Sequence, residues 1–102
     1  MASTADLRDV PDDIRRDVAR GVDILRGGGC SEVYIFGSVA EGRISPQSDI
    51  DFAVRGCPAS HFFKLQGRLL VELGRSADLV DLDADPDLAA FLEREAVLIH
   101  VG

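Results

Sequence analysis

The chain is short of basic residues, short of cysteine and free of any long apolar run. It has 11 Lys and Arg against 18 Asp and Glu over 102 residues, a formal net charge of −7. That balance argues against free nucleic acid as the main partner, because phosphate backbones are held largely by Lys and Arg. It leaves room for a nucleotide held at one local site. Cys30 and Cys57 are the only cysteines. Two thiols make neither a metal cluster nor a disulfide framework, so reduced cysteines in the cytoplasm are expected. No apolar stretch approaches the roughly 20 residues of a membrane helix, and the polar, acidic start "MASTADLRDVPDD" is not a secretory signal. Repeats and low-complexity tracts are missing too. With 46% hydrophobic and 28% charged residues, the composition is that of one globular domain spanning 1–102 with a small core.

The periodicities predict the order α-β-β-α-β-α-β. Residues 1–10 show no clear period and are expected to fray. Pro11-Asp12-Asp13 opens a helix whose aspartates suit the positive end of its dipole. Ile14, Val18, Val22 and Leu25 form its apolar stripe, and Gly27-Gly28-Gly29 stops it. This triple glycine follows a helix and lacks a phosphate loop's lysine and serine, so it reads as a stop. Strands are expected at Glu32–Phe36, Asp49–Val54, Ala77–Leu82 and Ala96–Val101. One helical turn is expected at Ser38–Arg43, a helix from about Ser60 to Leu73, and another from Asp85 through Glu93. Ser45–Ser48 is loop chemistry. The fold class is therefore α/β (α+β), a mixed sheet of about four strands packed by helices.

One stretch does not suit a plain core strand. In "VYIFGSVAEGRISPQSDIDFAV" the second strand opens with Asp49 and Asp51, two apart and so on one face, opposite Ile50, Phe52 and Val54. Paired carboxylates repel each other and are costly to desolvate. A divalent cation removes both objections, and Mg²⁺ typically takes one or two carboxylates plus substrate phosphates. Asp-x-Asp alone is a weak signal: Asp81-Leu82-Asp83, Asp83-Ala84-Asp85 and Asp85-Pro86-Asp87 repeat it where a solvated surface is expected. The Gly37-Ser38 that ends the preceding strand sharpens it. Glycine lets the backbone approach a phosphate, serine adds a hydroxyl, and a helical turn opening there would offer free N–H groups to an anion.

Gly37-Ser38 followed by Asp49-Ile50-Asp51 resembles the signature of the DNA polymerase β-like nucleotidyltransferases. "FGSVAEG" with "SDIDFAV" resembles, more narrowly, the minimal nucleotidyltransferase (MNT) proteins, and "LLVELGRSADLVDLD" and "LAAFLEREAVLIHVG" extend the likeness over almost the whole chain. The resemblance implies a nucleotide site at Gly37, Ser38, Arg43 and Ser48. It implies catalytic and metal-holding roles for Asp49, Asp51 and Asp78, with one or two Mg²⁺ ions and ATP as donor. Asp81, three residues on, is expected to face away from Asp78. Relatives carry arginines just after the Gly-Ser, where this chain has Val39 and Glu41; Arg43 is the candidate replacement charge. His61, His100 and Tyr34 read as structural.

Larger relatives have a helical acceptor domain, whereas this sequence ends directly after the sheet, so a partner is expected to complete the complex. MNT proteins are often paired with HEPN-domain toxins, in some pairs modifying them, and the resemblance implies an antitoxin that transfers AMP to a hydroxyl of its toxin. Two other readings stand beside it: a catalytically weak module that neutralises the toxin by contact, and a nucleotidyltransferase for an aminoglycoside-type small molecule.

Overall fold

The computed structural model describes residues 10–45 and 47–102; of the stretch expected to fray, 1–9 lie outside the described residues. Val10, the tenth, is 6% exposed and belongs to the core instead.

The first helix, α1 (Asp12–Gly27), buries Ile14, Val18, Gly21, Ile24 and Leu25. It ends where the N–H groups of Gly28 and Gly29 fold back onto the carbonyls of Ile24, Leu25 and Arg26. Gly29 takes φ 103°, a conformation that favours glycine. Strand β1 (Glu32–Phe36) runs into a single turn, α2 (Gly37–Ala40). After a loop come β2 (Ile50–Arg55), a 3₁₀ turn at Ala59–His61, α3 (Phe62–Glu72), β3 (Ala77–Asp81), α4 (Pro86–Glu95) and the two-residue β4 (Ile99–His100).

The strands lie in the order β3-β2-β1-β4. β1 is antiparallel to β2 and β4, while β2 and β3 are parallel with α3 as their crossover. The four-stranded mixed sheet is as expected. Side chains alternate between its faces. Val33, Ile35, Ile50, Phe52, Val54 and Leu79 pack with α1 and α3 into the main core. Ala53 packs with Leu82, Ala89 and Leu92, against Tyr34, Phe36 and Val80. α4 thus contributes the helical part of the second cluster. Arg55 ties it down by pairing with Glu93 and, at 3.4 Å, with Asp83.

Several expected boundaries move. The second strand starts at Ile50, because the β2–β3 ladder opens at Ile50↔Ala77; Asp49 sits just before it. The third strand ends at Asp81 rather than Leu82, which turns into the α4 cluster. The last helix continues to Glu95, and the last strand shrinks from 96–101 to Ile99–His100 because Ala96 and Leu98 pack against the α4 cluster. The helix expected from Ser60 begins as the 3₁₀ turn. The acidic repeats after β3 are more than solvated surface. Asp81 accepts the Asp83 N–H at 2.9 Å, Asp83 accepts the Gly56 N–H at 2.7 Å, and Asp85 caps α4 through the Leu88 N–H at 3.1 Å.

Cys30 is buried and Cys57 half-buried against the same core, both as free thiols. Burial first, and then contact with Cys57, pushes the Cys30 thiol up to about 12, which keeps it protonated and unreactive.

Gly21 is a buried position that a helical-stripe reading passes over. A Cβ there would stand 2.3 Å from Phe52 Cζ, and Phe52 is fully buried. Overpacking of about 1–3 kcal/mol outweighs the helix propensity an alanine gains, roughly 1 kcal/mol. Gly21→Ala should therefore lower the midpoint of thermal unfolding by several degrees, on the scale of ~4–8 °C per kcal/mol for a domain this size. Gly27→Ala, where a Cβ meets nothing within 4 Å, should not.

Candidate active site

The sheet brings the sequence-predicted residues to one end of the face that carries Ala53. β1 ends at Phe36, which pairs with Asp51 near the start of β2. On the other side of β2, Asp51 pairs in register with Asp78 of β3. In a parallel ladder, register partners project to the same side, about 4.8 Å apart. Asp51 and Asp78 therefore stand side by side, with Asp49 two residues earlier on the same chain. Asp49 and Asp78 are exposed and Asp51 is half-buried.

The electrostatics follow from that crowding. Burial, then the charge of Asp78 and a hydrogen bond with it, then the charge of Asp49, raise the Asp51 carboxyl to about 6. Two like-charged groups within reach of each other, one partly desolvated, favour retaining a proton. Asp51 and Asp78 are thus register neighbours on one face, and the charge of Asp49 acts on Asp51 as well. Among the described residues, no three His, Cys, Asp or Glu side chains are already gathered as a metal cage. The donor set nevertheless fits Mg²⁺: hard carboxylate oxygens whose repulsion a cation relieves, with positions left for water and phosphate. Asp81 accepts a local backbone N–H and has no part in the group.

Gly37 closes the other wall. Its φ is 74°, and a Cβ built on it would lie 2.1 Å from Asp51 Oδ2. Only glycine fits both the left-handed conformation and the carboxylate at its back. α2 starts at this residue, and its first N–H groups lack an intrahelical acceptor by construction. Ser38, half-buried, follows directly.

Two further candidates are engaged elsewhere. Arg43 donates to Glu41 Oε1 through Nε at 3.1 Å and Nη2 at 2.6 Å, so the residue expected to supply positive charge is held by the acid that departs from the family pattern. Ser48 is 7% exposed, and its hydroxyl accepts the Ser45 N–H at 2.7 Å, stapling the loop. Val39 is buried in the core, so at that position an arginine would have to leave the packing that Val39 makes. His61 and His100 each bond a backbone carbonyl at 2.8 Å, and the Tyr34 hydroxyl donates to Glu32 at 2.9 Å.

Arg75 was not legible as a site residue. Its Nε donates to Asp17 at 2.9 Å and Nη2 to Asp13 at 3.0 Å, while Nη1 reaches the Ser48 carbonyl at 3.4 Å. The signal in the sequence was an arginine three residues before Asp78 and an i, i+4 acid pair on the first helix. A groove of about 610 Å³ along α1 against Val101 includes none of the carboxylate group.

A family model described as "Polymerase beta, Nucleotidyltransferase" matches residues 28–101. No curated protein matches the chain. Among solved structures, one assigned as a minimal nucleotidyltransferase is 28% identical, covering 94% of this chain and 98% of that one with TM-score 0.65. A mutant of the toxin-antitoxin MntA-HpeT is 25% identical over 80% of this chain and 70% of that one, TM-score 0.61. A toxin-antitoxin with AMP-PNP is 23% identical over 86% and 72%, TM-score 0.63.

Proposed function

Because this chain belongs to the polymerase β nucleotidyltransferase family, we propose that it transfers AMP to a hydroxyl of a partner toxin, as the antitoxin of the pair: the hydroxyl oxygen attacks the α-phosphate of ATP and pyrophosphate leaves. The observation that carries the chemistry is the in-register Asp51–Asp78 pair set against the back of Gly37. The partner assignment is supported by the solved structures of similar fold, two of which are toxin-antitoxin assemblies and one of which contains AMP-PNP. The sequence resemblance to MNT proteins adds the expectation of a HEPN-domain toxin and a cytoplasmic setting; among the described residues no helix is long and apolar enough to cross a membrane.

In this reading Gly37 and Ser38 receive the terminal phosphates, with Gly37 giving the backbone its close approach. Asp49, Asp51 and Asp78 would hold magnesium, which when bound would neutralise phosphate charge and acidify the attacking hydroxyl. Asp78, the exposed member of the pair, would accept the proton of the incoming hydroxyl, while half-buried Asp51 would anchor it. The protein's part is to position groups and compensate charge rather than to form a covalent intermediate.

The Glu41–Arg43 ion pair favours a second reading, in which the fold neutralises its toxin by contact with little catalysis. One experiment separates the two. The chain is incubated with ATP, Mg²⁺ and its cognate toxin, and the toxin is weighed by mass spectrometry. A gain of one AMP, lost with Asp49→Asn, is the expected result; a toxin neutralised at unchanged mass would overturn transfer in favour of the contact antitoxin.

A further inference from the structure

Asp49 is the one candidate carboxylate outside the ladder. It precedes β2 and is exposed, so no strand pairing sets its direction. What does set it is the segment that leads into β3. The Ile50 N–H, in the peptide after Asp49, donates to the Ser76 carbonyl at 3.1 Å. The Ser48 carbonyl, in the peptide before Asp49, accepts from Arg75 Nη1 at 3.4 Å. The two peptide planes that flank the Asp49 Cα are therefore both docked on consecutive residues, 75 and 76. Two residues further on, the same segment supplies Asp78.

Arg75 is itself braced. Its side chain is 12% exposed, and α1 meets it with Asp17, 20% exposed, and Asp13. Asp17 Oδ1 also accepts the Gly74 N–H at 3.3 Å, which holds the backbone just before the arginine. A planar guanidinium can serve two carboxylates and a carbonyl at once from one fixed plane, which an ammonium on a flexible stem does not reproduce. From the other side, Ser48 is stapled to Ser45 by its hydroxyl, and its N–H donates to the Ser45 carbonyl at 3.0 Å. The turn is thus closed on itself; Ile44 ahead of it packs on the core, and Arg75 holds the Ser48 carbonyl that leads into Asp49.

We propose that Arg75 is a positioning residue: braced on Asp13 and Asp17, it holds the Ser48 peptide and so aims Asp49 at the Asp51–Asp78 pair. Arg75 touches neither nucleotide nor metal in this scheme; it acts through Asp49. The proposal rests on the nucleotidyltransferase reading above and adds a residue to it. Groups that orient metal ligands in this way are worth about 10–100-fold in metal affinity.

The test is a titration of the full chain with Mn²⁺, standing in for Mg²⁺, followed by calorimetry in the presence of AMP-PNP, at a temperature where circular dichroism shows each variant folded. Arg75→Ala should weaken Mn²⁺ binding by at least 10-fold. Arg75→Lys should recover only part of it, and Asp17→Asn should show a smaller loss in the same direction. If Arg75→Ala does not fold, Arg75→Lys and Asp17→Asn carry the comparison. Binding in the variants equal to wild type, with only the melting temperature lowered, would make Arg75 a fold-stabilising residue and overturn the proposal while leaving the enzyme reading intact. A wild-type chain that binds neither Mn²⁺ nor AMP-PNP would overturn both.

Discussion

Asp51→Asn should abolish nucleotidyl transfer and at the same time raise the melting temperature. The two effects have one cause. The Asp51 carboxyl is raised to about 6 from an ordinary 3.8, by burial and by Asp78 and Asp49, so its ionised form is disfavoured in the folded chain. A carboxyl whose folded pKa lies above its unfolded value binds its proton more tightly when folded. Stability contributed by that proton is fully present below about 4 and is lost as pH rises through about 6. A rise from 3.8 to about 6 corresponds to about 3 kcal/mol at neutral pH in a fully buried group; water reaching the half-exposed Asp51 reduces that to about 1 kcal/mol. An asparagine carries no charge to penalise. The variant should melt ~4–8 °C higher than wild type at pH 7.5, with the difference vanishing near pH 4. Its transfer activity should fall by at least about 10³-fold, a loss of about 4 kcal/mol of transition-state stabilisation. Thermal melts from pH 4 to 8, beside toxin-modification rates, check both. A variant that is inactive and also less stable would show that Asp51 is a structural residue.

Gly37→Ala should damage the protein twice. The left-handed φ of 74° costs a non-glycine residue about 1–3 kcal/mol. The new methyl would also stand 2.1 Å from Asp51 Oδ2 and force that carboxylate aside. Displacement of a reacting or metal-holding group by an ångström is worth about 100-fold in rate, so activity should drop by that factor or more even in the fraction that stays folded. Gly42→Ala is the control. Gly42 has φ 80°, but a Cβ there meets nothing within 4 Å. It should lose comparable stability in urea unfolding without the loss of rate per folded molecule. Equal rate losses in the two variants would mean that the clash at Gly37 is relieved by the backbone and that its glycine serves conformation alone.

Much of this was legible in the chain, for identifiable reasons. The helix and strand order was readable because Ile14, Val18 and Leu25 recur at helical spacing while Ile50, Phe52 and Val54 alternate. The carboxylate pair was readable because period 2 put Asp49 and Asp51 on the face away from the core. Asp78 came only through family resemblance, since a lone acid near the start of a strand has no local signature; the in-register pairing with Asp51 gives it a physical warrant. Edges were read less well. β4 is two residues long because packing against α4, invisible to a propensity count, takes Ala96 and Leu98. Glu41 stands out in the sequence only as a departure from the family's arginines, but it holds Arg43, a choice of partner that spacing does not reveal. Arg75 was missed because its partners Asp13 and Asp17 lie far off along the chain.

The parallel pairing of β2 with β3 reaches beyond geometry. All of α3 must be made and folded back before Asp78 can sit beside Asp51. A nascent polypeptide that has emerged only as far as β2 already displays the Gly-Ser and two of the acids, yet has no third to complete them. Long-range closure of this kind slows folding, and a ligand that recognises only the finished arrangement draws the population toward it. Under the proposed function, cation and nucleotide would thus act as inspectors of assembly, engaging finished molecules and passing over half-made ones.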